Sequence, residues 1–336
     1  MEFRTDLAAP LWHGGDLDAA RRLFPAAPQP FIDLSTGINP FSYPLPRLAA
    51  ETFTRLPEPA AIDRLAVVAA KAYGVPSADH VVAAPGGQIL LPFVAALARP
   101  GRAAVLGPTY AEHARVAALA GHATQERSDI RALAKADLAI VVNPNNPDGR
   151  LIPRDALLAL ADALDPGLLV VDEAFMDVGP PGASVAGAGR RNIVVLRSFG
   201  KFYGLAGLRL GFALAAPELA RHLRAALGPW AVSGPAIAIG ELALADGAWN
   251  ETTQVRLAAT ASRLDEVLSG AGLEVAGGTS LFRLVRTPAA PELFDRLGGA
   301  GIYVRRFAEQ PTWLRVGLPA SEPQWVRLAA ALTGPA

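Results

Sequence analysis

One stretch decides the fold and the chemistry expected of this chain: Ser198-Phe199-Gly200-Lys201-Phe202-Tyr203-Gly204-Leu205-Ala206-Gly207-Leu208-Arg209-Leu210-Gly211-Phe212. It follows the apolar run 193–196, which predicts a buried strand. Lys201 therefore comes directly after a strand, among small and aromatic residues instead of on a charged helix face. Partial burial in such surroundings lowers the pKa of a lysine, and its neutral amine is then a usable nucleophile.

Two further side chains near Lys201 point to a phosphate-bearing cofactor. Ser198 lies three residues before the lysine and Arg209 eight residues after it, and both residue types bind phosphate. An amine, a hydroxyl and a guanidinium gathered in this way predict pyridoxal 5'-phosphate, bound to Lys201 as a Schiff base.

The composition predicts two domains and excludes several classes of partner. The chain has 336 residues, of which 51% are hydrophobic and 18% charged, so a large core is possible and disorder is not expected. Its 31 basic and 31 acidic residues give no net charge, which argues against nucleic acid or an anionic membrane as a partner. There is no cysteine, and His80, His113, His122 and His222 lack metal-ligand spacing, so no metal is expected and these histidines are interpreted as structural.

A cytoplasmic location is expected from two features. Residues 1–6 lack the apolar run of a signal peptide, and no apolar run approaches the ~20 residues that a membrane span needs. We therefore expect no membrane partner.

Apolar runs alternate with helical patterns through the first two thirds of the chain. The candidate strands are 81–84, 103–106, 138–142, 168–171, 193–196 and 209–214. This alternation predicts an α/β fold with a mostly parallel sheet, covered by helices on both faces.

The pattern changes after about residue 216. Long helices are expected over 217–227, 235–244 and 252–268, and then strands over 280–285, 302–305 and 313–318. This order predicts a smaller α+β domain. The predicted divisions are an N-terminal arm over 1–35, a large cofactor-binding domain over 36–216 and a small C-terminal domain over 217–336.

Glycines and polar residues fall repeatedly at the carboxyl ends of the candidate strands, where ligands collect in such sheets. They are Gly86, Gly87, Gln88, Tyr110, Asn146, Asp172, Ser198 and Lys201. Glycines before a helix let backbone N–H groups approach a phosphate, although a glycine pair is also ordinary in loops. The aromatic ring at position 110 would either stack on a pyridine ring or fill the core, and the sequence favours neither.

Asp172 and Asn146 each have a plain structural interpretation beside the functional one. An acid after a strand often caps the following turn, but a pyridine nitrogen needs a carboxylate partner to stay protonated. Because Asp172 and Lys201 follow candidate neighbouring strands, the functional interpretation of Asp172 is favoured. Asn146 lies in a turn, and its side chain could also donate to the phenolic oxygen of the cofactor.

Three arginines in the C-terminal strands are candidates for binding an anionic substrate. Arg315 is either a surface residue or a bidentate partner of a carboxylate. Arg305 and Arg306 end a candidate strand, so one would point into the site and the other away from it. On their own, His13 and Asn39 would be interpreted as loop residues.

Four segments, in this order, resemble the fold-type I pyridoxal-phosphate enzymes, above all the class that contains histidinol-phosphate aminotransferase. They are Asn145-Asn146-Pro147-Asp148-Gly149, Asp172-Glu173-Ala174-Phe175, Ser198-Phe199-Gly200-Lys201 and Gly204-Leu205-Ala206-Gly207-Leu208-Arg209-Leu210-Gly211. The resemblance covers nearly the whole chain and implies a seven-stranded large domain. Two N-terminal segments are similar to the threonine-phosphate decarboxylases of the cobalamin pathway: His13-Gly14-Gly15 and Asp33-Leu34-Ser35-Thr36-Gly37-Ile38-Asn39-Pro40.

The resemblance implies a role for each candidate cofactor residue. Lys201 would carry the cofactor as a Schiff base and move the proton, and Asp172 would pair with the pyridine nitrogen. Tyr110 would stack on the ring, and Asn146 would bond the phenolic oxygen. The residues implied to hold the cofactor phosphate are Gly86, Gly87, Gln88, Ser198 and Arg209.

The resemblance also implies a reaction. Arg315 would bind the substrate carboxylate, and Arg305, with His13 and Asn39, would face the substrate phosphate. The expected activity is decarboxylation of L-threonine O-3-phosphate to (R)-1-aminopropan-2-yl phosphate, and the alternative is transamination of histidinol phosphate with 2-oxoglutarate. A non-catalytic regulatory domain is disfavoured because Lys201 is present. A homodimer is implied as well.

Three positions depart from the family pattern. Phe175 stands where the family often has a tyrosine that bonds the phenolic oxygen, so that bond is absent. Leu56 begins a Leu-Pro-Glu-Pro segment where aminotransferase relatives often carry Tyr-Pro-Asp-Pro, so a hydroxyl contact to the substrate phosphate is lost. Asp148 replaces the usual threonine of the Asn-Pro-Thr-Gly turn and is interpreted as neutral.

Overall fold

The computed structural model describes residues 13–333. The start of the predicted arm, and the expectation of no signal peptide at 1–6, lie outside the described residues. Within this range the helices α1 to α12 are, in chain order, Leu17–Leu23, Glu51–Thr54, Pro59–Tyr73, Gly87–Ala95, Glu112–Leu119, Arg154–Leu164, Phe199–Phe202, Pro217–Leu227, Gly234–Ala245, Gly247–Gly270, Ala290–Gly299 and Glu322–Thr333.

The strands of the described residues follow the predicted order, with three additions, each at an edge of its sheet. Strands β1 to β12 are Ile32–Leu34, Val81–Ala84, Arg102–Leu106, Ala123–Arg127, Leu138–Val142, Leu168–Asp172, Ile193–Ser198, Gly211–Ala215, Glu274–Thr279, Phe282–Arg286, Ile302–Phe307 and Gln310–Gly317. The strand predicted from residue 209 begins at Gly211, because Arg209 has a left-handed backbone with φ of 57°.

Seven of the described strands form the larger sheet, in the order β2-β8-β7-β6-β5-β3-β4. β8 runs antiparallel to its neighbours β2 and β7, and the remaining pairs are parallel. The mostly parallel, seven-stranded α/β sheet is therefore confirmed. The sequence does not predict β4, because this edge strand is polar and largely exposed and so lacks an apolar run.

Helices pack on both faces of the larger sheet. On one face, Ile140 of β5 and Leu196 of β7 belong to the same buried cluster as Leu90 of α4. On the other face, the ring of Phe212 in β8 contacts that of Tyr73 in α3, with centroids 5.5 Å apart. Because the central strands are buried on both faces, their sequences are continuously apolar.

The second sheet has five of the described strands, in the order β1-β11-β12-β10-β9. β1 pairs in parallel with β11, and the other pairs are antiparallel. The predicted arm therefore contributes a strand. The sequence does not predict this strand, because it is only three residues long and lies between Pro30 and a Ser-Thr-Gly turn. The strand-rich C-terminal region is confirmed.

The described residues group into two compact units with limits that differ from the predicted domains. Unit 1 contains 43–146 and 151–249, and unit 2 contains 13–42, 147–150 and 250–333. Helix packing and one strand pairing explain the difference. α8 packs on β2 and β8, and α9 packs on α3, so both helices belong to unit 1 although they follow residue 216. The pairing of β1 with β11 brings the N-terminal segment into unit 2.

Membrane insertion has no support from the helices. Across residues 13–333, none is both long enough and apolar enough to cross a bilayer.

Candidate active site

Lys201 lies just beyond the carboxyl end of β7, in the short helix α7. The ring of Phe199 stacks on that of Tyr203, with centroids 4.3 Å apart, and both side chains are buried. These aromatic contacts fix α7 and leave Lys201 half-buried. Its Nζ lies 5.8 Å from the centre of the Phe175 ring, so the ammonium faces an aromatic surface.

Asp172 ends β6, the neighbour of β7 in the sheet. The register places Asp172 opposite Leu196, so Asp172 and Ser198 lie on the same face at the same edge. The predicted adjacency of the two strands is therefore confirmed. The carboxylate of Asp172 is buried: Oδ1 accepts from the backbone N–H of Ala174 at 2.9 Å, so the turn-capping interpretation also holds.

The second oxygen of this carboxylate contacts a histidine that the sequence interpretation leaves as structural. Nε2 of His113 lies 2.8 Å from Oδ2 of Asp172, and His113 is only 1% exposed. No spacing along the sequence signals this contact, because it arises where α5 packs at the end of β6. A polar residue in the first turn of a helix that follows a strand end would have been the available signal.

Four of the predicted phosphate-binding residues come together at the beginning of α4. Gly86 is the N-cap of α4, with φ of 90°, and a Cβ there would lie 2.5 Å from a terminal nitrogen of Arg209. Ser198 pairs with Gly211, where a Cβ would lie 2.5 Å from the backbone N of Gly87. The first backbone N–H groups of a helix lack partners within the helix, and together with the Arg209 guanidinium they suit an anion.

Gln88 and Tyr110 are joined to each other by a hydrogen bond. The Tyr110 hydroxyl donates to Oε1 of Gln88 at 2.9 Å, and Nε2 of Gln88 donates to buried Glu112 at 3.4 Å. Arg115 reaches the same carboxylate at 3.3 Å. The Gln88 side chain is therefore engaged with the tyrosine, which leaves its backbone N–H as the group suited to a phosphate. Tyr110 is half-buried and also packs on the core, so both interpretations of this ring have support.

Asn146 follows β5, which pairs with β6 so that Val142 lies opposite Asp172. The preceding Asn145 fixes this turn: its Nδ2 donates to the Pro108 carbonyl at 3.0 Å, and its Oδ1 accepts from the Thr109 hydroxyl at 2.6 Å. These bonds tie the end of β5 to the loop that carries Tyr110. Asn146 is therefore held at the same sheet edge as Asp172.

In unit 2, the register places two arginines on one face of the smaller sheet. Arg305 of β11 lies directly opposite Arg315 of β12, and Arg306 lies on the other face. Arg315 is 7% exposed, so it is not a surface residue, and it donates to the backbone carbonyl of Ser35 at 2.8 Å. Two guanidinium groups on one face favour an anionic ligand.

The N-terminal candidates belong to the same unit. The backbone N–H of Gly15 donates to Oγ of Ser35 at 2.7 Å, which ties the segment that carries His13 to the residue bonded by Arg315. His13 is exposed. Asn39 is 1% exposed, and its Oδ1 accepts from the backbone N–H of Phe41 at 2.8 Å.

The residues of unit 1 fit pyridoxal phosphate. They offer an amine in Lys201, a buried carboxylate in Asp172, and an anion cradle of helix N–H groups beside Arg209. Phe175 is buried beside Lys201. It has no hydroxyl, so it cannot bond the phenolic oxygen of the cofactor as the tyrosine often found in the family would.

Residues 29–332 match the aminotransferase class I and II family. The chain belongs to this family. Two curated members are named threonine-phosphate decarboxylase: that of Pseudomonas aeruginosa is 43% identical over 329 residues (96% of this chain, 98% of the relative), and that of a Sinorhizobium species 44% over 334 residues (97% and 98%). Histidinol-phosphate aminotransferase 2 of Ralstonia nicotianae is 30% identical over 354 residues, with 96% of this chain and 93% of the relative covered.

Solved structures of family members confirm the fold. The crystal structure of histidinol-phosphate aminotransferase from Sinorhizobium meliloti, in complex with pyridoxal-5'-phosphate, has a TM-score of 0.83 at 24% identity and covers 99% of this chain and 96% of its own. That of L-threonine-O-3-phosphate decarboxylase from Porphyromonas gingivalis has a TM-score of 0.72 at 22% identity, covering 84% and 94%. The expected fold-type I architecture is therefore present.

The close contact at Gly86 predicts the effect of adding one methyl group. In Gly86→Ala the Cβ displaces the Arg209 guanidinium, which lies 2.5 Å away, so the chain loses a charged donor at the cradle. We expect affinity for pyridoxal phosphate, measured by titration of the visible absorbance, to fall by roughly tenfold or more, since hydrogen bonds to charged groups contribute ~1.5–3 kcal/mol.

Gly228→Ala is the matched control. Gly228 has φ of 74° and ψ of −178°, close to the 90° and 157° of Gly86, but a Cβ there meets nothing within 4 Å. It carries the same kind of backbone strain without disturbing Arg209. Equal affinity of the two variants for the cofactor would contradict the role assigned to the cradle.

Proposed function

We propose that this chain is a pyridoxal-phosphate-dependent decarboxylase that converts L-threonine O-3-phosphate into (R)-1-aminopropan-2-yl phosphate, a step of cobalamin biosynthesis. One observation carries the proposal: relatives named threonine-phosphate decarboxylase are 43% and 44% identical over nearly the full length of both chains. Identity to histidinol-phosphate aminotransferases such as that of Ralstonia nicotianae is lower, at 30%, and is close to the 31% of a third relative named threonine-phosphate decarboxylase, from Salmonella typhimurium.

In the proposed enzyme, unit 1 binds the cofactor. Lys201 would hold it through the side-chain amine, and Asp172, oriented by His113, would pair with its pyridine nitrogen. Asn146 would bond the phenolic oxygen and Tyr110 would lie on the ring. The phosphate would be held by Ser198 and Arg209 with the N–H groups of Gly86, Gly87 and Gln88. When bound, pyridoxal phosphate withdraws electrons from the substrate α carbon and weakens its bonds.

Unit 2 supplies the proposed substrate residues. Threonine phosphate carries a carboxylate and a phosphate, and two guanidinium groups on one sheet face suit two such anions. We assign Arg315, held by the Ser35 carbonyl, to the carboxylate. We assign Arg305 to the phosphate, with His13 and Asn39 as further polar partners.

Which bond of the substrate α carbon breaks depends on how the substrate carboxylate is held. The residues that hold the substrate carboxylate would decide whether CO2 or a proton leaves the α carbon. Tight binding of the carboxylate in the ground state would oppose its departure, because only interactions stronger in the transition state accelerate a step. Arg315 therefore orients the substrate, while binding energy from the phosphate at Arg305 supplies affinity. Lys201 Nζ would supply the proton that replaces CO2 on the α carbon.

A direct assay separates the two candidate reactions. The purified chain, loaded with pyridoxal phosphate, is expected to release CO2 from L-threonine O-3-phosphate and to form no glutamate from histidinol phosphate and 2-oxoglutarate. Lys201→Ala should remove the activity, since it removes both the cofactor link and the proton donor. Glutamate formation from histidinol phosphate and 2-oxoglutarate, without CO2 release from threonine phosphate, would instead identify an aminotransferase.

The assignment of Arg305 has its own test. Arg305→Ala is expected to raise KM for threonine phosphate by roughly tenfold or more, because a charged hydrogen bond contributes ~1.5–3 kcal/mol, with a smaller change in kcat. Arg306→Ala is the control, since this neighbour lies on the other face of the strand and is exposed. An unchanged KM in Arg305→Ala would refute the assignment.

We further propose that the enzyme works in the cytoplasm as a homodimer. Unit 1 carries several large apolar side chains that are well exposed, among them Leu45 at 67%, Phe53 at 66% and Trp230 at 59%. Phe53 belongs to α2, which packs on α9, and Trp230 lies shortly before α9. Exposed apolar groups near one another are typical of association surfaces.

Sedimentation of the full chain tests the dimer. We expect a dimer for the natural sequence and a shift toward monomer for Phe53→Glu, which puts a charge into the proposed interface. Leu119→Glu changes a similarly exposed leucine, at 58%, at the end of α5 and should leave the dimer intact. A monomeric natural chain would exclude the proposed assembly.

A further inference from the structure

A second group of charged residues lies at the ends of β6 and β7, on the face opposite Asp172 and Ser198. Arg197 donates through one terminal nitrogen to Glu173 at 3.0 Å and through the other to Asp177. Arg197 is 6% exposed and Glu173 is fully buried. We call Glu173, Asp177 and Arg197 the back cluster.

On both strands, a residue of the back cluster is the immediate neighbour in sequence of a proposed cofactor residue. Glu173 follows Asp172, and Arg197 precedes Ser198. Because successive side chains on a strand point to opposite faces, each pair divides between the two sides of the sheet. The backbone ladder continues here, since the N–H of Glu173 donates to the Leu196 carbonyl at 2.9 Å.

The cluster also binds the segment that follows β6. Oε2 of Glu173 accepts from the Ser184 hydroxyl at 2.6 Å, and Oε1 accepts from the backbone N–H of Val185 at 2.9 Å. Arg197 lies over the Tyr73 ring at 4.6 Å. β7, the turn after Asp172 and the 184–185 loop are therefore joined through one guanidinium and one carboxylate.

Burial makes this arrangement costly. Loss of solvation raises the pKa of Glu173 against the opposing effect of Arg197, and the two carboxylates raise the pKa of Arg197 above its ordinary value. A buried ion cluster can often be replaced by uncharged residues of similar size with no loss of stability. Stability alone therefore does not account for three charges at this position.

We propose that Arg197 is a positioning residue for the cofactor site. By binding Glu173 and Asp177 together, it fixes the path of residues 172–178 against β7, and so sets the direction in which Asp172 and Lys201 leave the sheet. The inference rests on the proposed function, since it requires that Asp172 and Lys201 bind pyridoxal phosphate.

A variant that removes all three charges separates positioning from stability. In the full chain, Glu173→Gln, Asp177→Asn and Arg197→Met are combined, which preserves approximate shape and leaves no unpaired charge. We expect unfolding by denaturant close to that of the natural chain. We expect affinity for pyridoxal phosphate to fall on the order of tenfold, as when partners that orient a ligand are removed, and the pH dependence of the visible absorbance to shift.

An exposed ion pair of unit 1 provides the control. Arg190 and Asp162 lie 2.8 Å apart with both side chains well exposed, and Arg190→Met with Asp162→Asn removes a pair without touching the back cluster. This control should keep the affinity and the absorbance profile. A stable triple variant with unchanged affinity and profile would overturn the inference, because the cluster would then be structural only.

Two further outcomes are informative. If the triple variant fails to fold, Arg197→Lys decides: lysine keeps the charge but lacks the rigid fork that reaches two carboxylates. Weaker cofactor binding in folded Arg197→Lys supports positioning, and natural affinity contradicts it. If the natural chain itself shows no cofactor absorbance that depends on Lys201, the proposed function fails and this inference fails with it.

Discussion

The parallel pairing of β6 with β7 is the constraint on which the proposed site depends. Hydrogen bonds between these strands place Asp172 level with Leu196. As a result, the carboxylate and the segment from Ser198 to Lys201 leave the sheet at one edge and on one face. The same pairing brings Glu173 and Arg197 together on the other face. One register thus sets both the candidate cofactor-binding side chains on one face and the charged cluster on the other, and a slip of one residue would exchange the two faces.

Much of the fold could be predicted because buried strands have a simple sequence pattern. Strands covered on both faces must be apolar throughout, and β5, β6 and β7 are. β4 escapes prediction because an exposed edge strand has no need of apolar residues. β1 escapes because three residues carry too little periodicity, and its partner β11 lies far along the chain. The placement of α8 and α9 in unit 1 follows from packing on β8 and α3, which sequence patterns do not encode.

Some residues of the candidate site could likewise be predicted from the sequence, and others could not. Gly86, Asp172 and Lys201 could be named from sequence because each follows a strand, and strand ends of one sheet lie together. His113 could not, since its partner Asp172 is distant in sequence and the contact depends on how α5 meets the sheet. The bond from Tyr110 to Gln88 is similar: it assigns the glutamine side chain to the ring rather than to a phosphate. Side-chain partners of this kind are products of tertiary packing.

The proposed cofactor residues belong to unit 1 and the proposed substrate residues to unit 2. This division has a chemical consequence. A cofactor that labilises every bond at the substrate α carbon cannot itself select one, so selectivity must come from the groups that orient the substrate. Arg315 is anchored to the Ser35 carbonyl, and Ser35 is also bonded by the backbone of Gly15. In the proposed enzyme, the N-terminal segment would therefore act on the orientation of the substrate carboxylate through Ser35, the residue that Arg315 binds. In the proposed enzyme, the choice between decarboxylation and transamination would accordingly depend on the surroundings of Ser35 and Arg315, because both reactions need the same cofactor at Lys201.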